Sequence, residues 1–141
     1  MKSLRNLLGA FTVIAMLGLV PAFAQSGVRV TANVPFAFNA GDRTLPAGQY
    51  TFVSAPNSPI AYLYPKDTTR GVALFTNSNA STGPSERAVL TFHVYGDKSY
   101  FAGAWSPESA SGRMLSPSRG EKEAEKGNAQ RQLAYAFAGG K

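Results

Sequence analysis

The chain has 141 residues, no cysteine, one histidine and a formal net charge of +6. Without cysteine it has no disulfide framework, and with one histidine a zinc site would need several carboxylates. Most of its basic residues are scattered singly rather than gathered in a stripe, which argues against nucleic acid as a partner and suits weak attraction to anionic envelope polymers.

The N-terminus carries a targeting pattern. Lys2 and Arg5 precede an uncharged apolar run from Leu7 to Val20, Pro21 breaks any helix, and Ala22-Phe23-Ala24 places small residues at both positions a signal peptidase reads. The run is shorter than the roughly 20 residues a spanning helix needs. No arginine pair precedes it, and no cysteine is available for lipidation. The expectation is a signal peptide over residues 1–24, cleaved to leave Gln25 first, and a periplasmic or extracellular protein that does not span the membrane. The 117 residues that remain carry a net charge of +4 and suffice for one domain.

Val28 to Phe38 alternates, with Val28, Val30, Ala32, Val34, Phe36 and Phe38 on one face, which predicts a half-buried strand. Pro35 cannot donate to a ladder, so the strand lies at an edge or bulges there. Asn39 to Asp42 reads as a turn. In Leu45-Pro-Ala-Gly-Gln-Tyr50, Pro46 presets φ for a turn and Gly48 suits a bulged hairpin. Strands are predicted over Tyr50–Ala55, Ile60–Tyr64 and Gly71–Thr76, then a polar loop from Asn77 to Ser85.

Ala88 to Trp105 holds the strongest signal. Two aromatic and β-branched runs flank Gly96-Asp97-Lys98-Ser99, a strand–turn–strand pattern. Strict alternation puts Ala88, Leu90, Phe92 and Val94 on one face with Phe101, Gly103 and Trp105, the best core candidate in the chain. Val89, Thr91, His93 and Tyr95 share the other face with Tyr100, Ala102 and Ala104. Arg113–Leu115 forms one last short strand.

Val34-Pro-Phe-Ala-Phe38, Leu45-Pro-Ala-Gly-Gln-Tyr50 and His93-Val-Tyr-Gly-Asp97, followed by Trp105, resemble a group of small exported proteins of uncharacterised function common in acidobacterial genomes. The resemblance spans roughly residues 30–123. It implies export and an all-β domain, and brings no activity with it. The present chain departs from the group in its longer tail after Glu125.

The tail changes composition. Ser118 to Gly127 is charged and predicts a short helix, with Ser116 or Ser118 capping it and Gly127 stopping it. Arg119 and Glu123 attract at i,i+4, whereas Glu121 and Glu125 repel. Leu133, Tyr135 and Phe137 share one face of a segment that either adds an edge strand or stays loose. The fold class expected is therefore all-β: a single antiparallel sandwich or small barrel of about seven strands over residues 25–116. A short helix and tail occupy 117–141.

Catalytic signatures are sparse. The chain has no Gly-x-Ser-x-Gly, paired-histidine or phosphate-loop pattern and no cofactor motif. Asp42, Asp67, Asp97 and Glu108 are dispersed over loops, so a carboxylate hydrolase depends on folding to unite them. Tyr62, Tyr64, Tyr95, Tyr100 and Trp105 either fill the core or form a platform for flat ligands such as sugar rings. His93, Tyr95 and Tyr100 share a face beside the turn and are the candidate ligand contacts, Tyr95 and Tyr100 being the better surface candidates of a set whose usual role is packing. The expected function is a non-catalytic module that binds an envelope or extracellular ligand. The alternatives are a small barrel carrying an apolar ligand and a small carboxylate-dependent hydrolase.

Overall fold

Period-two alternation sets the inside of the fold from its first strand. The structure, a computed structural model, describes residues 27–79, 86–109, 112–127 and 130–139, so the expected signal peptide lies outside the described residues. In β1 (Arg29–Val34), Val30, Ala32 and Val34 are buried while Arg29, Thr31 and Asn33 face outward. The strand stops before Pro35, and β2 (Phe38–Ala40) begins beyond it. The segment expected as a plain turn is a small hairpin in which β2 pairs with β3 (Arg43–Leu45). β4 (Gly48–Ser54), β5 (Ile60–Pro65) and β6 (Val72–Asn79) form an antiparallel meander, and β1 pairs with β4.

β7 (Val89–Tyr95) and β8 (Lys98–Trp105) make the central hairpin, with Tyr95 opposite Lys98 across Gly96-Asp97. Gly96 has φ +62°, the left-handed conformation that a two-residue hairpin turn asks of its first central residue. The register shifts between Thr91 and Phe92: Phe92 pairs with Phe101 and Thr91 with Gly103, leaving Ala102 as the extra residue of a bulge. One extra residue reverses which side of β8 faces inward. Phe101 belongs to the core before the bulge and Ala104 after it. The core face expected for Phe101, Gly103 and Trp105 together therefore ends at Ala102, and Trp105 is only half-buried, outside the core cluster.

β9 (Gly112–Leu115) lies between β6 and β8, α1 (Arg119–Lys126) follows, and β10 (Arg131–Phe137) runs back along β7. One edge of β8 carries β7. Its other edge is shared by β9 and, at Asn39–Tyr100, by β2 running parallel. The result is a mostly β chain with one short helix near the C-terminus, as expected. The sheet is mixed and has ten strands rather than about seven, and it is neither a clear sandwich nor a clear barrel. Ala138, just past β10, makes an isolated bridge to Ala32 of β1, but among the described residues no ladder joins β1 to β10, so the sheet is not closed.

The core is aromatic. Phe36, Phe38, Tyr50, Phe52, Phe92 and Phe101 contact one another at centroid distances of 5.0–6.4 Å, mostly edge to face. Burying each ring contributes about 1.5–3 kcal/mol from area alone, and edge-to-face contacts add to that. The one polar atom among these rings, the Tyr50 hydroxyl, donates to the Pro46 carbonyl. Among the described residues no helix is long and apolar enough to cross a membrane.

Candidate functional site

The three candidate ligand contacts do come together, but under the helix. β7 presents His93 and Tyr95 on its outer face, β8 presents Tyr100 beside them, and α1 lies across all three. Ser118 caps α1 by accepting from the Glu121 amide at 3.2 Å, and Gly127 ends the helix by donating to the Ala124 carbonyl. That cap places Glu121 on the underside of the first turn. Its Oε1 lies 2.5 Å from Nδ1 of His93 and accepts from the Tyr95 hydroxyl at 3.0 Å. The Tyr100 hydroxyl donates to the Gly120 carbonyl at 3.2 Å. Tyr95 and Tyr100 stack edge to face at 5.9 Å.

Burial decides what this cluster can do. Tyr95 and Tyr100 are 4% and 7% exposed, so these two surface candidates are buried and serve packing. Glu121, 4% exposed, is the one buried residue of the helix. A charged helix with no apolar face thus docks through a carboxylate, because the sheet offers it an imidazole and a phenol instead of a greasy surface. Burial pushes the Tyr95 hydroxyl above its ordinary pKa, and its bond to Glu121 adds to the rise. The two phenols are committed to α1, and His93 spends Nδ1 on it. The arrangement is that of a polar clasp.

Glu121 was legible only as a charge in an i,i+4 pair. The spacing Ser118-x-x-Glu121 is the signal that marks it, since a cap at Ser118 puts a glutamate in the first turn. Here that glutamate reaches the sheet. The exposed pair Arg119–Glu123 forms at 3.5 Å, as the i,i+4 spacing predicts, and at such exposure contributes little.

A second set of aromatic residues faces solvent. Along β5 and β6 the inward residues are Ala61, Leu63, Val72 and Leu74, so Ile60, Tyr62 and Phe75 point outward. Ile60 stands opposite Phe75, and Tyr62 opposite Ala73. Tyr62 is 43% and Phe75 79% exposed. Tyr62 and Tyr64 stack nearly parallel, with centroids 6.1 Å apart. Of these, Tyr62 and Tyr64 stood among the platform candidates. Phe75 did not, although the alternation Val72-Ala73-Leu74-Phe75 places it opposite the buried pair.

No family model, curated protein or solved structure matches the chain. The chemistry must be judged from the residues alone. Among the described residues no three His, Cys, Asp or Glu side chains group to hold a metal. Of the dispersed carboxylates, Asp42 lines a groove between the β2–β3 turn and β6, whereas Asp67 lines a separate hollow beside Tyr64.

Proposed function

We propose that this chain is an exported, non-catalytic binding module that meets its ligand on the outer face of β5 and β6. The observation that carries this reading is the division of aromatic residues. Five buried rings and the partly buried Phe36 fill the inside, while Ile60, Tyr62 and Phe75 stay in solvent on one face. Contiguous apolar residues left outside a filled core mark an interaction surface. A carrier of an apolar ligand would need its interior for cargo, and here rings in mutual contact occupy it. The other exposed strip, Leu133, Tyr135 and Phe137 on β10, already has the Arg87 guanidinium over the Phe137 ring at 5.4 Å.

The test uses the mature chain, beginning at Gln25, immobilised and exposed to an envelope extract. The wild type should retain a component that a Tyr62→Ala/Phe75→Ala double variant releases. Equal retention by both removes the face from the assignment. Turnover of an ester, peptide or glycan substrate that His93→Ala abolishes, with folding intact, overturns the non-catalytic reading. Export has its own test: the intact mass of the native protein should correspond to a chain starting at Gln25, and retention of Met1 would sink it.

A further inference from the structure

We propose that the hollow beside Tyr64 is a saccharide subsite that takes one ring of an anionic polysaccharide, a uronate or a similar carboxylate-bearing sugar. The proposal rests on the binding-module reading and names the class of ligand.

A built aromatic wall is the first observation. The Tyr64 ring rests on the chain entering β6, stands beside Tyr62 and lines the hollow. A Cβ at position 71 would lie 2.7 Å from Cε1 of Tyr64, so glycine there is what lets the ring rest against the backbone. A pyranose presents an apolar patch of C–H groups on its face and hydroxyls around its rim. The aromatic surface that Tyr64 contributes to the hollow complements that patch.

The second observation is the rim. The hollow has a volume of about 580 Å³, and Arg29, Gln49, Thr51, Lys66 and Asp67 line it together with Tyr64. Gln49 both donates and accepts, Asp67 only accepts, and Arg29 and Lys66 only donate, which is the mixed set that sugar hydroxyls require. Thr51 is tied to Thr31 at 2.9 Å. The turn carrying Lys66 and Asp67 is pinned to β4 by the Lys66 amide, which donates to the Gln49 carbonyl at 2.9 Å. The backbone of the rim is thus fixed before binding, which leaves only its side chains to order on binding.

Charge selects the sugar. Two cations against one carboxylate leave the hollow net positive, in a chain that is itself basic. Arg29 and Lys66 are exposed and solvated, so a neutral sugar gains nothing from their charge, whereas a carboxylate on the ring is attracted by both.

The experiment measures retardation of the mature protein in gels containing polygalacturonate, a neutral dextran, or a single-stranded DNA oligonucleotide. Polygalacturonate should bind, and should weaken as salt rises. Tyr64→Ala should lose about tenfold or more in affinity, Tyr64→Phe should keep most of it, and Lys66→Gln should lose several-fold. Equal binding by Tyr64→Ala with its fold intact would reduce the effect to bulk charge and overturn the subsite. Equal or tighter binding of dextran, or preference for the oligonucleotide, overturns the sugar class. If polygalacturonate is not bound while the envelope component still depends on Tyr62 and Phe75, the saccharide proposal fails and the module reading survives. If both are absent, both fall.

Discussion

Glu121 and His93, 28 residues apart in the chain, meet at 2.5 Å and fasten α1 to β7. Tyr95 adds a second bond to the same carboxylate oxygen. Glu121→Ala should therefore leave the His93 ring nitrogen and the Tyr95 hydroxyl unpaired beneath the helix and cost about 2–3 kcal/mol. His93→Ala should cost less, because its side chain is 14% exposed and water can reach the gap. A double-mutant cycle should give a coupling of about 1–2 kcal/mol. Hydrogen exchange checks the location: amides of residues 119–126 should lose protection in Glu121→Ala while those of β4 and β5 keep theirs.

Tyr95 and Tyr50 both hold their protons more tightly in the folded chain than at the ordinary phenol value, chiefly because burial disfavours the phenolate. The sign follows directly. Above a pH of about 10 the unfolded chain releases phenolic protons that the folded chain retains, so the unfolded state binds fewer protons and stability falls as pH rises. Below about pH 10 the contribution is fully present. Urea unfolding on either side of that pH should show the loss, and Tyr95→Phe should flatten the slope. An unchanged slope in both Tyr95→Phe and Tyr50→Phe would contradict the burial of these hydroxyls.

The bulge at Ala102 makes a prediction that strict alternation would not. Trp105 should be worth less than its size suggests, because the extra residue turns it away from the core. Phe92→Ala, at a site with no exposure and rings on several sides, should cost about 3–5 kcal/mol. Trp105→Ala should cost about 1–2 kcal/mol. Deleting Ala102 would remove the extra residue and leave the present pairs, Phe92–Phe101, Thr91–Gly103 and Val89–Trp105, in regular register, so Trp105 should stay outside the core and Trp105→Ala should cost no more in that background.

What the sequence shows and hides follows from range. Alternation is local, so β1, β4, β5 and β7 are readable from Val30, Phe52, Leu63 and Phe92. The cap at Ser118 and the stop at Gly127 are readable too, because a helix end is decided within one turn. β2 and β3 are three residues each and sit in a segment rich in turn residues, where pairing with each other and with β8 wins over local preference. The hint of a bulge in Phe101-Ala-Gly-Ala-Trp105 is Gly103, but a strand glycine does not say which residue is extra, so the inward face of β8 past Ala102 was not predictable. The candidate site was half legible. His93, Tyr95 and Tyr100 share a face as alternation requires, but what covers that face comes from Glu121, more than 20 residues beyond the hairpin turn.

Phe75 separates surface function from stability. Its side chain is 79% exposed and its strand neighbour on the same face is Ile60, itself exposed. Little area leaves water when the chain folds around Phe75, so Phe75→Ala should change stability by no more than about 0.5 kcal/mol. Tyr62, more covered and stacked on Tyr64, should cost somewhat more as alanine, about 1 kcal/mol. Under the binding-module proposal, an exposed phenylalanine with so little to do in folding serves as a ligand contact. Removing both rings should thus lower the unfolding temperature by only several degrees and abolish retention of the envelope component. A double variant that loses about 3 kcal/mol or more would mean that these rings are structural, and the face would have to be withdrawn as a binding surface.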